Sequence, residues 1–213
     1  MIIDVVAPNP PYALARSRMI DADPATTMKA VQTANLMDAP VARLLTWVRD
    51  RPNQWRARWR GEPVTPLPRH VSFADLPDDN SFKVLGTKEN EQYVAGAIGR
   101  FWQRDYGWVD FDPDQFVGFD EPGYAKTVIG FHAVPRGPER TMLIYESRTV
   151  VTDRAARKRF GRYWWFMRPF VGMLLTSALN SIEREADRMG HAEVIDLRKP
   201  SEAATITTTR EAL

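Results

Sequence analysis

A single apolar stripe in the last third of the chain constrains the fold more than any other feature. From Thr152 to about Met189 the sequence follows a helical pattern, in which bulky apolar residues recur in steps of three or four. This spacing places them on one side of an α-helix. A long helix with one apolar side has to lay that side on another layer of secondary structure. The members of the stripe are Phe160, Trp164, Met167, Val171, Leu174, Ala178 and Ile182.

Strand patterns that precede this helix supply the second layer. The connection 135–139, Pro-Arg-Gly-Pro-Glu, joins the last two strands as a hairpin, which makes the sheet antiparallel. Asp23 and Pro24 predict the N-cap and first position of a short helix, and a second short helix follows over 41–51. The predicted strands are 12–22, 81–87, 92–102, 124–134 and 140–151, with a short piece at 108–111.

The order of these elements predicts an α+β helix-grip fold. In it, a curved antiparallel β-sheet wraps around the long C-terminal α-helix, and two short helices follow the first strand. Residues 1–11 are interpreted as an N-terminal arm, 12–190 as one domain, and 191–213 as a C-terminal tail that is partly disordered.

Composition excludes several classes of protein. Of the 213 residues, 44% are hydrophobic and 26% are charged, which is ordinary for a globular chain. The absence of cysteine excludes disulfides and thiolate chemistry and suits a cytoplasmic location. The three histidines, His70, His132 and His191, are scattered, so we expect neither a metal nor a cofactor. The stretch 163–182 is too polar to predict a membrane span.

Several short stretches, together with the order of elements, resemble the SRPBCC superfamily, and in particular its small bacterial members. The resemblance covers Tyr12 to Arg188. It implies the helix-grip fold of START domains, birch-pollen-allergen-like proteins and polyketide cyclases. Such proteins bind apolar molecules between sheet and helix, and some catalyse cyclisation or hydrolysis there. The resembling stretches are 99–102 (GRFW), 119–126 (FDEPGYAK), 146–148 (ESR), 152–153 (TD) and 159–169 (RFGRYWWFMRP).

The expected function is binding of a small apolar or amphipathic molecule in a pocket between the sheet and the C-terminal helix. Glu146 and Arg148 are two residues apart in a strand, so they share a face, but apolar residues on both faces leave open which face is inside. One alternative is a cyclase-like or hydratase-like enzyme that uses His132, Glu146 or a tyrosine in the pocket. Another is a non-catalytic interaction protein with a filled core. The candidate ligand-binding residues are Phe131, His132, Glu146, Arg148, Trp164, Met167, Val171 and Leu174.

A second apolar patch lies on the opposite side of the long helix, at Trp165, Phe166 and Met173. An apolar patch away from the core usually marks a contact. Three occupants are open: the N-terminal arm, a second subunit in a homodimer, and a membrane surface. The last is favoured only by the basic residues that precede the patch. These residues are Arg154, Arg157, Lys158, Arg159 and Arg162.

Charge is segregated along the chain although the net charge is only +2. Residues 72–121 hold eleven acidic and four basic side chains, whereas residues 126–168 hold ten basic and three acidic ones. The stretch 55–60, Trp-Arg-Ala-Arg-Trp-Arg, is basic and aromatic and is interpreted as a surface loop. No recognised nucleic-acid-binding fold accompanies it, so we expect no nucleic-acid partner.

Overall fold

The computed structural model describes residues 1–35, 72–73, 82–103 and 105–197, with side chains as far as residue 191. It is an α+β fold with one open, curved antiparallel sheet and a long C-terminal helix, as the sequence predicts. The elements are α1 Ile2–Val6, β1 Tyr12–Ile20, α2 Pro24–Thr33, β2 Lys83–Lys88, β3 Gln92–Gly99, a 3-10 turn at Pro113–Gln115, β4 Ala125–Gly137, β5 Arg140–Val151 and α3 Arg154–Leu197.

The sheet has the order β1-β5-β4-β3-β2, and all its strands pair antiparallel. Strands β2 to β5 form a meander, in which each strand pairs with the next one along the chain. Strand β1 joins from the far end of the sequence, because Tyr12 pairs with Thr149. Strand β1 is therefore an edge strand, and its Tyr12 and Arg18 contact Phe160 and Glu183 of the long helix.

Two helix starts follow the chemistry of their N-cap residues. Asp23 accepts hydrogen bonds from the backbone amides of Ala25 and Thr26, at 2.7 and 3.1 Å, and thereby starts α2. Asp153 accepts from the amides of Ala155 and Ala156, at 2.6 and 2.8 Å, and starts α3. Each carboxylate satisfies amides that have no partner in the first helical turn.

The boundaries of most strands differ from the predicted ones by one to three residues. Strand β1 ends at Ile20 and β3 at Gly99, earlier than predicted, and β4 spans Ala125–Gly137 where the sequence predicts 124–134. Strand β2 begins at Lys83, and α3 continues beyond Met189 to Leu197. The predicted second helix at 41–51 and the basic-aromatic stretch at 55–60 lie outside the described residues.

Helices α2 and α3 pack on one face of the sheet, which we call the inner face. Of the predicted stripe, Phe160, Ala178 and Ile182 are buried. Between them the most deeply buried leucines are Leu175 and Leu179, whereas Leu174 is only half-buried. The predicted stripe is therefore correct at both ends of the helix. In the middle, the buried side of the helix is turned by one residue, from Leu174 to Leu175.

The opposite, outer face of the sheet is covered by the N-terminal segment. Ile3 and Ala7 are almost fully buried there, in a cluster with Val94, Ile98 and Val128 from the sheet. The predicted arm therefore packs on the sheet. It does not cover Trp165, Phe166 and Met173 on α3, which remain exposed, so this part of the prediction is wrong.

Candidate functional site

The inner face carries two separate apolar clusters. The larger one has an aromatic centre, in which the rings of Phe131 and Tyr145 stack with centroids 4.2 Å apart. The ring of Phe73 meets Phe131 edge-on at 4.6 Å. Phe131, a predicted pocket residue, is thus 1% exposed and enclosed by other rings.

Two tyrosine hydroxyls belong to this larger cluster. Burial raises the pKa of Tyr145, and it also raises the pKa of Tyr93. The hydroxyl of Tyr93 donates a hydrogen bond to the backbone carbonyl of Phe73, at 3.3 Å. Because burial disfavours the phenolate, both side chains are neutral near pH 7.

The smaller cluster lies where α3 begins. Its centre is Phe160, whose ring meets that of Tyr12 at 4.8 Å and that of Trp164 at 6.0 Å. The hydroxyl of Tyr12 donates to the backbone carbonyl of Arg157, at 3.0 Å. These contacts fix the start of α3 above the first residue of β1.

Between the two clusters the floor of the inner face is polar. Thr127 and Thr149 share a hydrogen bond of 2.9 Å across paired strands, and Ser147 is the next inward-facing residue on β5. Tyr12 pairs with Thr149 and Leu14 pairs with Ser147.

The helix passes above this polar floor. Phe160 contacts Tyr12, and a Cβ placed on Gly172 would lie 3.5 Å from the Leu14 side chain. The turns between Phe160 and Gly172 therefore cross the hydroxyl groups. In these turns Trp164, Met167 and Val171 are half-buried, unlike the buried residues at either end.

A groove of about 800 Å³ opens at this point, between α3 and the edge strand β1. It is open to solvent along one side. Trp164 and the buried Gly172 take part in its walls. The lining residues are Leu14, Arg16, Gly161, Trp164, Trp165, Arg168, Pro169, Gly172, Met173 and Thr176.

The charge of this groove has one sign. Its walls contain two guanidinium groups, those of Arg16 and Arg168, and no carboxylate. Arg16 donates a hydrogen bond to the carbonyl of Ala15, at 2.9 Å. Within the described part of the chain, neither arginine forms an ion pair with a carboxylate. The lining of the groove thus combines apolar side chains with two cations.

Three of the predicted pocket residues lie on the outer face, away from the helix. On β5 the buried Leu143 and Tyr145 point inward, so Glu146 and Arg148 point outward. On β4, Phe131 points inward, so His132 points outward as well. The expectation that these three line the space beneath the helix is wrong, because side chains alternate between faces along a strand.

Arg148 has a structural role on the outer face. It is 12% exposed and forms a bidentate pair with Glu146, at 2.7 and 3.1 Å. It also binds the carboxylate of Asp4 at 2.8 Å and the carbonyl of Ala7 at 3.3 Å. Its hydrogen bonds to Glu146, and then to Asp4, raise the pKa of the guanidinium. Arg148 therefore clamps the N-terminal segment onto the sheet.

The remaining predicted residues lie on α3. Of these, only Trp164 lines the groove; Met167, Val171 and Leu174 are half-buried on the same helix. Val171 packs against the larger cluster. Their assignment as ligand contacts stays a prediction.

Of the ten lining residues, sequence reasoning named only Trp164 as a ligand contact. The residues it missed include Leu14, Arg16, Arg168 and Gly172. A usable signal lies in β1, where Tyr12, Leu14 and Arg16 alternate and so share the inner face. No local pattern places β1 beside α3, since that contact depends on the pairing of β1 with β5.

No metal-binding arrangement occurs among the residues that the structure describes, in which no three His, Asp or Glu side chains converge. His191 lies at the far end of α3, with its Nδ1 at 2.7 Å from the carbonyl of Asp187. The expectation that no metal or cofactor is needed stays a prediction.

No family model matches the chain, and no curated protein matches it. Solved structures match at low similarity. Protein MLL2253 from Mesorhizobium loti is 14% identical, with a TM-score of 0.39 over 83% of this chain and 98% of its own. The Zhui aromatase/cyclase from Streptomyces sp. R1128 is 12% identical, with a TM-score of 0.34 over 85% of this chain and 97% of its own. CalU16 from Micromonospora echinospora is 15% identical, with a TM-score of 0.27 over 86% and 88%.

These likenesses are too weak to carry an argument about function. The helix-grip architecture rests on the chain's own topology: a four-strand antiparallel meander, a first strand added beside β5, and a long C-terminal helix across one face. This is the arrangement that the resemblance to the SRPBCC superfamily implies, so the expected fold is confirmed.

Proposed function

We propose that this protein binds a small amphipathic molecule with an anionic group in the groove between β1 and α3. The observation that supports this most is the chemistry of the walls. Apolar side chains and two arginines line one space, and no carboxylate occurs among its lining residues. An uncharged apolar molecule would form no ionic hydrogen bond with either guanidinium group.

The apolar part of the ligand is expected to lie against Leu14, Trp164 and Met173. Leu14 of the groove wall pairs with Ser147, and Thr149 with its hydrogen-bond partner Thr127 lies two residues further along β5 on the same face. A polar atom of the ligand that reaches these side chains finds hydroxyl partners. Pockets of this kind combine apolar walls with a few polar groups that fix orientation.

The anionic part is expected to lie between Arg16 and Arg168. A guanidinium group presents several donors in a planar fork that fits carboxylate, sulfonate or phosphate oxygens. Arg16 lies on the sheet and Arg168 on the helix, so an anion that binds both bridges the two walls of the groove.

The enzyme alternative finds no support in the described inner face. His132 and Glu146, its named acid and base candidates, lie on the outer face. The two tyrosines of the larger inner-face cluster, Tyr93 and Tyr145, have raised pKa values, and a general base near neutral pH needs the opposite shift. The hydroxyl of Tyr12, in the smaller cluster, is bonded to the backbone carbonyl of Arg157. We therefore propose binding rather than catalysis.

Fluorescence titration with two matched dyes tests this proposal. Anilinonaphthalene sulfonate has an apolar body and one anionic group, and phenylnaphthylamine is its uncharged counterpart. We expect the sulfonate to bind with a roughly micromolar dissociation constant and the neutral dye to bind more weakly. Arg16→Gln and Arg168→Gln should each weaken the sulfonate about tenfold, because a hydrogen bond to a charged group is lost. The affinity for the neutral dye should not change.

A pair of glycine variants supplies the control. Gly172→Leu places a bulky side chain in the groove, whereas Gly190 lies on the same helix with open space around its Cα. We expect Gly172→Leu to abolish binding of both dyes and Gly190→Leu to leave it intact. Equal binding by the two variants would show that the groove is not the site.

A further inference from the structure

The outward side of the first half of α3 is both apolar and cationic. Trp165, Phe166 and Met173 are 82%, 61% and 44% exposed. Three large apolar side chains on one stretch of helix form a patch rather than the scattered exposure that is normal for a folded chain.

Basic residues extend this patch toward the start of the helix. Arg154, Lys158 and Arg162 are exposed and follow one another at intervals of four, so they lie on one side of α3. Phe166 follows Arg162 by another four residues, so it lies on the same side of the helix. We call these six residues, Arg154, Lys158, Arg162, Trp165, Phe166 and Met173, the docking face.

The charge of this half of the helix is unbalanced. From Arg154 to Ile182 the sequence contains six basic residues and no acidic one. None of the three docking-face cations forms an ion pair with a carboxylate in the described ranges. The docking face therefore suits a partner that is anionic and accepts aromatic side chains.

We propose that the docking face binds the surface of membranes that contain anionic lipids. Tryptophan and phenylalanine side chains insert among lipid headgroups, and arginine and lysine beside them attract the lipid phosphates. In the described part of the chain no helix has the length and apolar character needed to cross a bilayer, so the contact is with the surface.

A second copy of the chain fits this face less well. A symmetric dimer sets the same patch against itself, so one interface would gather the cations of both copies, with no carboxylate from Arg154 to Ile182 to offset them. Juxtaposed like charges in an interface are unfavourable. An anionic lipid surface covers the apolar side chains and neutralises the cations at the same time.

The docking face borders the proposed ligand groove but does not depend on it. Trp165 and Met173 belong to both, so docking would set the mouth of the groove against the lipid. Phe166 and the three cations, in contrast, lie outside the groove lining. Variants of these four residues test docking without altering the groove.

Vesicle flotation with the full chain tests the proposal. We expect binding to phosphatidylcholine vesicles that contain phosphatidylserine and little binding to phosphatidylcholine alone. Replacing Arg154, Lys158 and Arg162 with Gln together should lower the partition coefficient about a hundredfold, because each lost cation costs about fivefold. Phe166→Ser should lower it about tenfold, since an apolar ring is no longer buried. Added salt should weaken binding by the unaltered chain.

Matched controls come from exposed residues elsewhere in the chain. Replacing Lys88, Arg136 and Arg140 together with Gln removes the same amount of positive charge from the opposite end of the sheet. Val117→Ser removes an exposed apolar side chain. Both controls should retain binding, and circular dichroism should show that all the variants are folded.

Three results would overturn the proposal. One is equal binding to the two kinds of vesicle, and another is an equal loss with the docking-face and control triples. The third is a dimer by analytical ultracentrifugation that Phe166→Ser dissociates, since the face would then be a subunit interface. Gly172→Leu should leave vesicle binding intact, so a failure of ligand binding can be told apart from a failure of docking.

Discussion

Three glycines on α3 differ in the space around them, and this difference predicts an order of stability for their alanine variants. A Cβ added to Gly161 would lie 3.0 Å from the hydroxyl oxygen of Tyr12. A Cβ added to Gly172 would lie 3.4 Å from Nη2 of Arg16 and 3.5 Å from the Leu14 side chain. A Cβ added to Gly190 would meet nothing within 4 Å.

The expected magnitudes follow from these distances. Glycine to alanine inside a helix stabilises by about 1 kcal/mol, which applies to all three sites. At Gly172 the new methyl group also gains ordinary van der Waals contact and burial, which adds up to ~0.8 kcal/mol. At Gly161 it displaces the hydroxyl of Tyr12, which donates to the carbonyl of Arg157. Losing that hydrogen bond costs about 1 kcal/mol and cancels the gain.

Thermal unfolding followed by circular dichroism measures this order. One kcal/mol corresponds to about 2–4 °C for a chain of this size. We therefore expect Gly172→Ala to raise the melting temperature most, Gly190→Ala to raise it less, and Gly161→Ala to leave it unchanged or lower it. A lower melting temperature for Gly172→Ala than for Gly190→Ala would refute the reasoning, because the groove would then have no room for a methyl group.

Three further predictions concern residues outside the groove. Arg148→Met should lower the free energy of unfolding by about 3 kcal/mol in chemical denaturation, because Glu146 is left without its partner. The double variant with Glu146→Gln should recover part of the lost stability, since no unpaired charge remains. Asp23→Ala should cost about 1 kcal/mol near pH 7 through loss of the N-cap. Hydrogen bonds from Thr26 hold the pKa of Asp23 below its usual value. The N-cap contribution is therefore present above the usual aspartate pKa and disappears as the pH falls through the lowered pKa. A difference between Asp23→Ala and the unaltered chain that stays constant on acidification to well below the usual aspartate pKa would contradict this. Tyr145 should resist ionisation in ultraviolet titration until the pH is well above the usual tyrosine pKa, and an ordinary titration in the folded chain would show that its hydroxyl reaches water.

The local elements could be predicted from the sequence because their signals are local. The bounds of β5, the N-cap at Asp23 and the start of α3 after Asp153 all follow from spacing and capping within a few residues. The middle of the α3 stripe is less accurate. The spacing predicts that Trp164 faces the core, yet it is half-buried, because it forms a wall of the groove.

The inner and outer faces of β5 could not be distinguished in this way. Apolar residues occupy both sides of the strand because both sides are covered: Tyr145 lies under the helices, and Val150 packs against the N-terminal cluster. The alternation of apolar and polar residues that distinguishes a buried face from a solvated one is therefore absent from β5. The cover on the outer face is a five-residue helix, Ile2–Val6, whose packing against the sheet depends on contacts with distant residues such as Arg148.

The strand order has a consequence for how the chain acquires its native shape. Strands β2 to β5 pair with neighbours in sequence and can assemble through short loop closures, but β1 has to wait for β5, near the other end of the described chain. Closing that long loop has a large entropic cost, which slows contacts between distant segments. During synthesis, β1 leaves the ribosome first and has no partner until the final third of the chain follows it. The two walls of the groove, β1 and α3, meet only in that last step, so the groove exists only once the sheet is complete.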